Sequence, residues 1–450
     1  MSGKDCASSL GSPANCTEVA GICGDFGGFL SHKSVANGYG APGVGILGLA
    51  TLVAWRERAS AVTVPAWPDG KVLIHRTEEL VISPAGEVLP AQTSRVAHDA
   101  IMEVSSKHLL RSTQTRRIRK SHSLVMVVRG TYIATSYLEG EKPWDVRRRV
   151  AQARLLATMR HGVLFTGESA LVTLGIEPWW NNPDVTVRTD ARSGKPALFP
   201  AVPVGEIIVP SVAWHCRRSG PMVEGLEAEG FWGMPLAPIP LLAYDLCQRA
   251  HPLQAFHNVS AFLRFIAGFD RWDLVGSRIR EARWREHLIQ EVCSLGMERG
   301  HRRTQAVLES ASGGIESPAE STVLWVLTCL VRGRQEVVCQ HEVQVRGRRF
   351  FVDIALPEEM IAIEVSGMGK FGGTAATADD VALRFSRRQQ LLTDSGWRFI
   401  NVYYEQCRDL SALVVYLRER LCALGVTVSR PGGKLWAAQS PELFHRDRKF

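Results

Sequence analysis

The sequence predicts an α/β (α+β) fold divided among several domains, and three observations carry that reading. The chain has 450 residues, more than one ordinary core organises. Short strand-like runs, such as LVMVV and IAIEV, interleave with amphipathic helical stretches from about residue 94 onward. Gly- and Pro-rich breaks separate regions of different composition. With 45% hydrophobic and 22% charged residues, the chain is composed as folded domains are, not as disordered ones.

Residues 1–93 form a Gly/Ser-rich N-terminal segment without clear periodicity. They contain a formal GxGxxG, Gly43 to Gly48, but a loop precedes it and no well-placed acid follows, so it does not read as a dinucleotide site. The start MSGKDCASSL lacks the basic and apolar regions of a signal peptide. The apolar run Pro42 to Ala54 is too short to span a bilayer. The ten cysteines show no CxxC or zinc spacing, and Cys247, Cys293 and Cys329 read as small buried hydrophobes. A cytoplasmic protein without membrane partners is expected. The net charge of +8 favours an anionic partner such as nucleic acid.

Residues 94–140 read as a winged helix-turn-helix. AHDAIMEVSSKHLL is predicted as a helix, and Arg116, Arg117, Arg119 and Lys120 fall on a second one. The strands LVMVV and TYIAT follow, joined at Arg129-Gly130. In that layout the basic helix enters the major groove of DNA; the alternative is a solvated basic face on a structural domain. Residues 141–300 read as a mixed central domain. DVRRRVAQARLLATMRH, LLAYDLCQ and VSAFLRFI are predicted helices, while VTVRT and EIIVPSVAWHC are each predicted as one strand. His161 and His215 read as structural, and Trp179-Trp180 as core or groove. A last domain is expected over 315–425, followed by a basic tail, 426–450.

In that last domain RRFFVDIAL and IAIEVSG read as antiparallel strands joined at Pro357 to Met360. If Leu356 faces Ile361, Asp353 stands opposite Glu364. Phe350, Val352, Ile354 and Leu356 then share an apolar face with Ile361, Ile363 and Val365. Two acids directly paired repel one another, and a divalent cation would turn that repulsion into chelation; the alternative is a polar, solvated face. Ser317, Pro318 and Glu320 read as a capping box opening the helix STVLWVLTCLVRG. Glu320 could also point toward the hairpin acids. ADDVALRFSRRQQLLTDSG is a predicted helix carrying Arg384, Arg387 and Arg388, and WRFINVYY a strand.

On ESPAES, FVDIALPEEMIAIEVSG and RRQQLLTDSGWRFINVYYEQC the chain resembles the nucleases related to very short patch repair endonucleases, within the PD-(D/E)xK superfamily. RGTYIAT and GVLFTGESALVTLGI are similar, more weakly, to abortive-infection antitoxins. The resemblance implies a restriction-endonuclease-like domain with a central mixed sheet flanked by helices. It implies Mg²⁺ on Asp353 and Glu364, with Glu320 or Glu316 as an additional acid. It places Ser366 and Lys370 at the catalytic centre; Arg387 and Arg388 read from the helix itself either as its solvated side or as contacts to DNA phosphate. Relatives carry Glu-x-Asp-Gly or Glu-x-Lys where this chain has Glu364-Val365-Ser366-Gly367. Two functions are therefore expected in competition. One is a Mg²⁺-dependent DNA endonuclease, in defence or a toxin–antitoxin context. The other is a catalytically degenerate DNA-binding regulator or antitoxin-like protein. The partners expected are DNA and, for assembly, a second copy or a cognate protein.

Overall fold

The computed structural model describes residues 81–82, 88–89, 104, 108–111, 123–159, 162–189, 198–218, 234–248, 250–295, 300–331, 333–366, 375–441 and 443–444. All belong to one structural unit, Trp67–Phe450. Gly43 to Gly48, Arg116, Arg117, Arg119, Lys120, His161 and Lys370 lie outside the described residues.

Strands β1 (Val81–Ile82) and β2 (Val88–Leu89) make a small antiparallel ladder. Next comes a three-stranded antiparallel sheet of β3 (Leu109–Arg111), β4 (Leu124–Val128) and β5 (Thr131–Ala134), with β5 in the middle. The turn between β4 and β5 rests on Gly130 at φ +79°, a left-handed conformation that costs glycine little. Leu109 and Leu110 correct the sequence reading, which put them at the end of a helix. They pair with Ile133 and Tyr132 as sheet residues. Strand pairing, invisible locally, outweighs the helical propensity of leucine.

The central region opens with α1 (Pro143–Thr158), β6 (Leu164–Phe165), α2 (Gly167–Thr173) and β7 (Val185–Arg188). It continues through β8 (Leu198–Phe199), β9 (Val202–Val204), β10 (Ile207–Val209) and β11 (Val212–Arg217). Strands order β6-β7-β11-β8, with β7 and β11 parallel, while β9 and β10 pair separately. The single strand expected over EIIVPSVAWHC is thus two. Pro210 has no N–H to extend a ladder, and its carbonyl instead accepts from Arg154 and Asn182. Four helices follow: α3 (Ile239–Gln248), α4 (Pro252–Ile266), α5 (Leu274–Ser294) and α6 (His301–Ser310). Trp179 and Trp180 are core residues, 0% and 5% exposed. Cys247 and Cys329 are buried as expected, but Cys293 is exposed on α5, a correction that follows from the charged face of that helix.

The C-terminal region is a mixed sheet between helices. Helix α7 (Pro318–Val331), apolar almost all round, is buried along nearly its whole length. Strands β12 (Val338–Val345), β13 (Arg348–Leu356), β14 (Ile361–Ser366) and β15 (Arg398–Tyr403) lie in that order. The first two pairings are antiparallel and β14–β15 is parallel. Helix α8 (Ala375–Asp394) makes the crossover between β14 and β15, and α9 (Leu410–Ala423) closes the region. Gly396, at φ +95°, ends α8 as the sequence implied.

Neither face of the β13–β14 hairpin is wet. Ile354, Leu356, Ile361, Ile363 and Val365 join the main core with α7. Ala355 and Ala362, both 0% exposed, pack with Val352, Leu392 and Trp397 in a second core. Val352 therefore leaves the face on which simple alternation placed it. The change coincides with Gln340, which has φ +49° and is the residue skipped, opposite Asp353, in the β12–β13 register. On β12, too, Cys339 faces the main core while Val343 and Val345 face the second. The tail beyond residue 426 is bound to the rest. Leu435, Leu443 and Phe444 are buried, Trp436 stacks on Trp325 at 4.9 Å, and Trp325 Nε1 donates to the Leu435 carbonyl at 3.2 Å.

Candidate carboxylate and arginine site

The hairpin register read from the sequence is present over three pairs: Leu356 with Ile361, Ala355 with Ala362 and Ile354 with Ile363. The ladder stops there, one residue short of Asp353 and Glu364. Two carboxylates in adjacent ladder positions repel, and here each takes other partners. Asp353 Oδ2 accepts the backbone N–H of Val365 at 3.0 Å. Glu364, only 4% exposed, accepts a bidentate pair of hydrogen bonds from Arg388 on α8, at 2.7 Å to Oε1 and 3.2 Å to Oε2. The same guanidinium also donates to the Phe351 carbonyl. Planar fork-to-carboxylate pairing is what arginine supplies and lysine does not.

Glu320 arrives from the third side, on the first turn of α7, and is 7% exposed. Its N–H donates to Ser317 Oγ at 3.2 Å. Its carboxyl accepts the Ser317 hydroxyl and the Glu316 N–H, each at 2.9 Å. The capping role anticipated for it is therefore present, displaced one residue outward, since the reciprocal donor is Glu316 rather than Ser317. Burial pushes its pKa up to about 7, and the charge of Asp353 adds to that shift. That influence puts Glu320 and Asp353 in one electrostatic neighbourhood. Glu316, the other candidate acid, faces outward and pairs with Arg264 at 3.0 Å.

The structure thus gathers Asp353, Glu364, Glu320 and Arg388. Ser366, half-buried at the end of β14, pairs with Tyr403 of β15. Arg387 and Arg384 point to solvent on α8. Among the described residues, no group of three or more His, Cys, Asp or Glu side chains is arranged to hold a metal ion. Both Glu364 oxygens and both Glu320 oxygens accept hydrogen bonds, as does one of Asp353, and each carboxylate oxygen keeps a further lone pair. The Arg388–Glu364 pair leaves no mark in the sequence, because nothing local links residues 24 positions apart. It also concealed the distortion at Gln340, an ordinary strand residue by type.

A second polar cluster lies in the central region, where no chemistry was expected. Asp245 of α3, its side chain 0% exposed, accepts from Thr166 at 2.7 Å and from Arg188 at 2.6 and 2.7 Å. Arg217 donates to it as well. The cluster fastens β7 and β11 to α3 and has the character of a structural clamp. His215 pairs with Asp184 at 3.1 Å, in keeping with a structural role.

No protein family, no curated protein and no solved structure was found to match this chain.

Proposed function

We propose that the chain is a DNA-binding protein whose C-terminal region has a restriction-endonuclease-like fold closed by arginine, so that it binds DNA without cutting it. The observation that carries this reading is the bidentate Arg388–Glu364 pair, in which a guanidinium balances the buried carboxylate charge that a divalent cation would otherwise balance. Support for the fold comes from the order of elements: an acid-bearing helix, three antiparallel strands, a basic crossover helix and a strand parallel to the third. Support for DNA comes from the net charge of +8 and from Arg384 and Arg387, exposed on the same helix that Arg388 fixes to the sheet. Anchored in this way, α8 can present its outer arginines to phosphates without loss of position. The three-stranded sheet β3-β5-β4 is in keeping with a wing that follows, in sequence, the basic residues Arg116, Arg117, Arg119 and Lys120. Among the described residues no helix is long and apolar enough to cross a membrane.

The test is a pair of measurements on the purified chain. Duplex DNA binding should weaken steeply with salt, as counterion release requires, and should survive Asp353→Ala. Plasmid incubated with Mg²⁺ or Mn²⁺ should remain supercoiled. Nicking that is lost in Asp353→Ala and Glu364→Ala would instead establish the metal-dependent endonuclease.

A further inference from the structure

Beside the carboxylate site the structure presents an aromatic step that neither the fold nor that site requires. Trp272, in the loop between α4 and α5, is 62% exposed, unusual for so large an apolar side chain. It meets Phe351 of β13 edge to face, with ring centroids 5.1 Å apart and planes at 86°. Each ring also carries a cation. Arg271 lies over Trp272 at 5.5 Å, and Arg349 over Phe351 at 5.6 Å. Phe351 is two residues from Asp353, and its carbonyl is held by Arg388.

The loop that raises Trp272 is pinned rather than loose. Its N–H donates to Asp270 Oδ1 at 2.9 Å, Ser277 Oγ donates to the Asp270 carbonyl at 3.0 Å, and Asp273 caps α5 through the Gly276 N–H at 3.0 Å. The backbone that carries the exposed indole is therefore held in place. Further positive charge stands at the β12–β13 turn, on the same strand as Phe351. There Arg346 and Arg348 are exposed, with no carboxylate of the described residues in ion-pair contact, whereas Arg349 pairs with Glu342 at 2.7 Å.

We propose that Trp272 and Phe351, flanked by Arg271 and Arg349, form a platform for single-stranded DNA, an unpaired base stacking on the exposed indole while these arginines, with Arg346 and Arg348 of the β12–β13 turn further along, hold the phosphates. Alternating aromatic faces and guanidinium groups match a polymer of alternating flat bases and phosphates. Duplex DNA offers no exposed base face to the indole. The proposal rests on the DNA-binding reading above and names the form of DNA.

The experiment measures anisotropy of labelled 20-mers: oligo-dT, an abasic strand of equal charge and a duplex. It uses the full chain, Trp272→Ala, Trp272→Phe and the double variant Arg346→Ser/Arg348→Ser. Oligo-dT should bind the parent roughly tenfold or more tighter than the abasic strand, an advantage Trp272→Ala removes and Trp272→Phe largely keeps. The double variant should weaken oligo-dT and abasic strands alike. Thermal melting of Trp272→Ala should match the parent, since the ring is mostly solvated. Equal affinity for oligo-dT and abasic strand, or unchanged oligo-dT binding by Trp272→Ala, overturns the platform while leaving duplex binding intact. Failure to bind any of the three probes overturns the DNA-binding reading itself.

Discussion

Glu364 is a nearly buried carboxylate, and the guanidinium of Arg388 lies across both of its oxygens. Removing one partner of such a pair strands a charge in low dielectric, which costs more than the pair itself contributes. Arg388→Ala is expected to destabilise the chain by about 3 kcal/mol, whereas Arg388→Met combined with Glu364→Gln should recover most of that loss. Denaturant titration of the two variants checks this, and equal losses in both would show the pair to be incidental. Glu320 provides the matching pH test. Its folded pKa of about 7 lies above the ordinary carboxyl value of 4.5. Between those values the folded chain binds the extra proton, so stability falls as pH rises from about 4.5 through 7. Glu320→Gln removes that dependence. Its melting temperature relative to the parent should climb across this window, and a constant offset would contradict the burial argument. At this scale the sequence was readable where chemistry is local. The Pro357 turn and period-two alternation bring Asp353 and Glu364 to neighbouring strands, and Ser317 with Glu320 announced a cap. Arg388 could be recognised only as basic, because its partner is set by how α8 crosses the sheet.

Elements show the same division. Helix α7 and the β13–β14 hairpin were legible because each carries its full hydrophobic pattern in one short stretch. Strand β12 was not, since CQHEVQV alternates polar residues that only the neighbouring β13 accounts for. The charged helix α5, with few buried positions, gave no apolar stripe to read. The strand break at Pro210 was available from its missing N–H, whereas β3 needed knowledge of its partner β5. The clamp between β7, β11 and α3 makes a prediction at this scale. Asp245 is the shared acceptor of Arg188, Arg217 and Thr166. Asp245→Ala should therefore cost about 3–5 kcal/mol, read by denaturation, while an effect below about 1 kcal/mol would rule out the clamp as a source of stability.

Across the described residues, the larger apolar core runs from Val104 to Phe444, joining residues of the small sheet, the central helices, the C-terminal sheet and the tail. The expected division at 300–315 is thus not a gap in packing; α7 lies against α4 on one side and α9 on the other. A shared core predicts one cooperative transition rather than separate ones. Leu443→Ala, at a position 2% exposed, should lower stability by about 2–4 kcal/mol and shift that single transition as a unit. Two transitions, only one of them moved, would show that the tail serves a local contact.

The protein proposed here closes a nuclease-like carboxylate site with arginine and holds DNA without hydrolysing it. The measurement that addresses it most directly is plasmid nicking by the purified chain in Mg²⁺ and in Mn²⁺, at concentrations where duplex binding is saturated. Supercoiled plasmid should remain intact in both metals. Metal-dependent nicks that disappear in Glu364→Ala would contradict it.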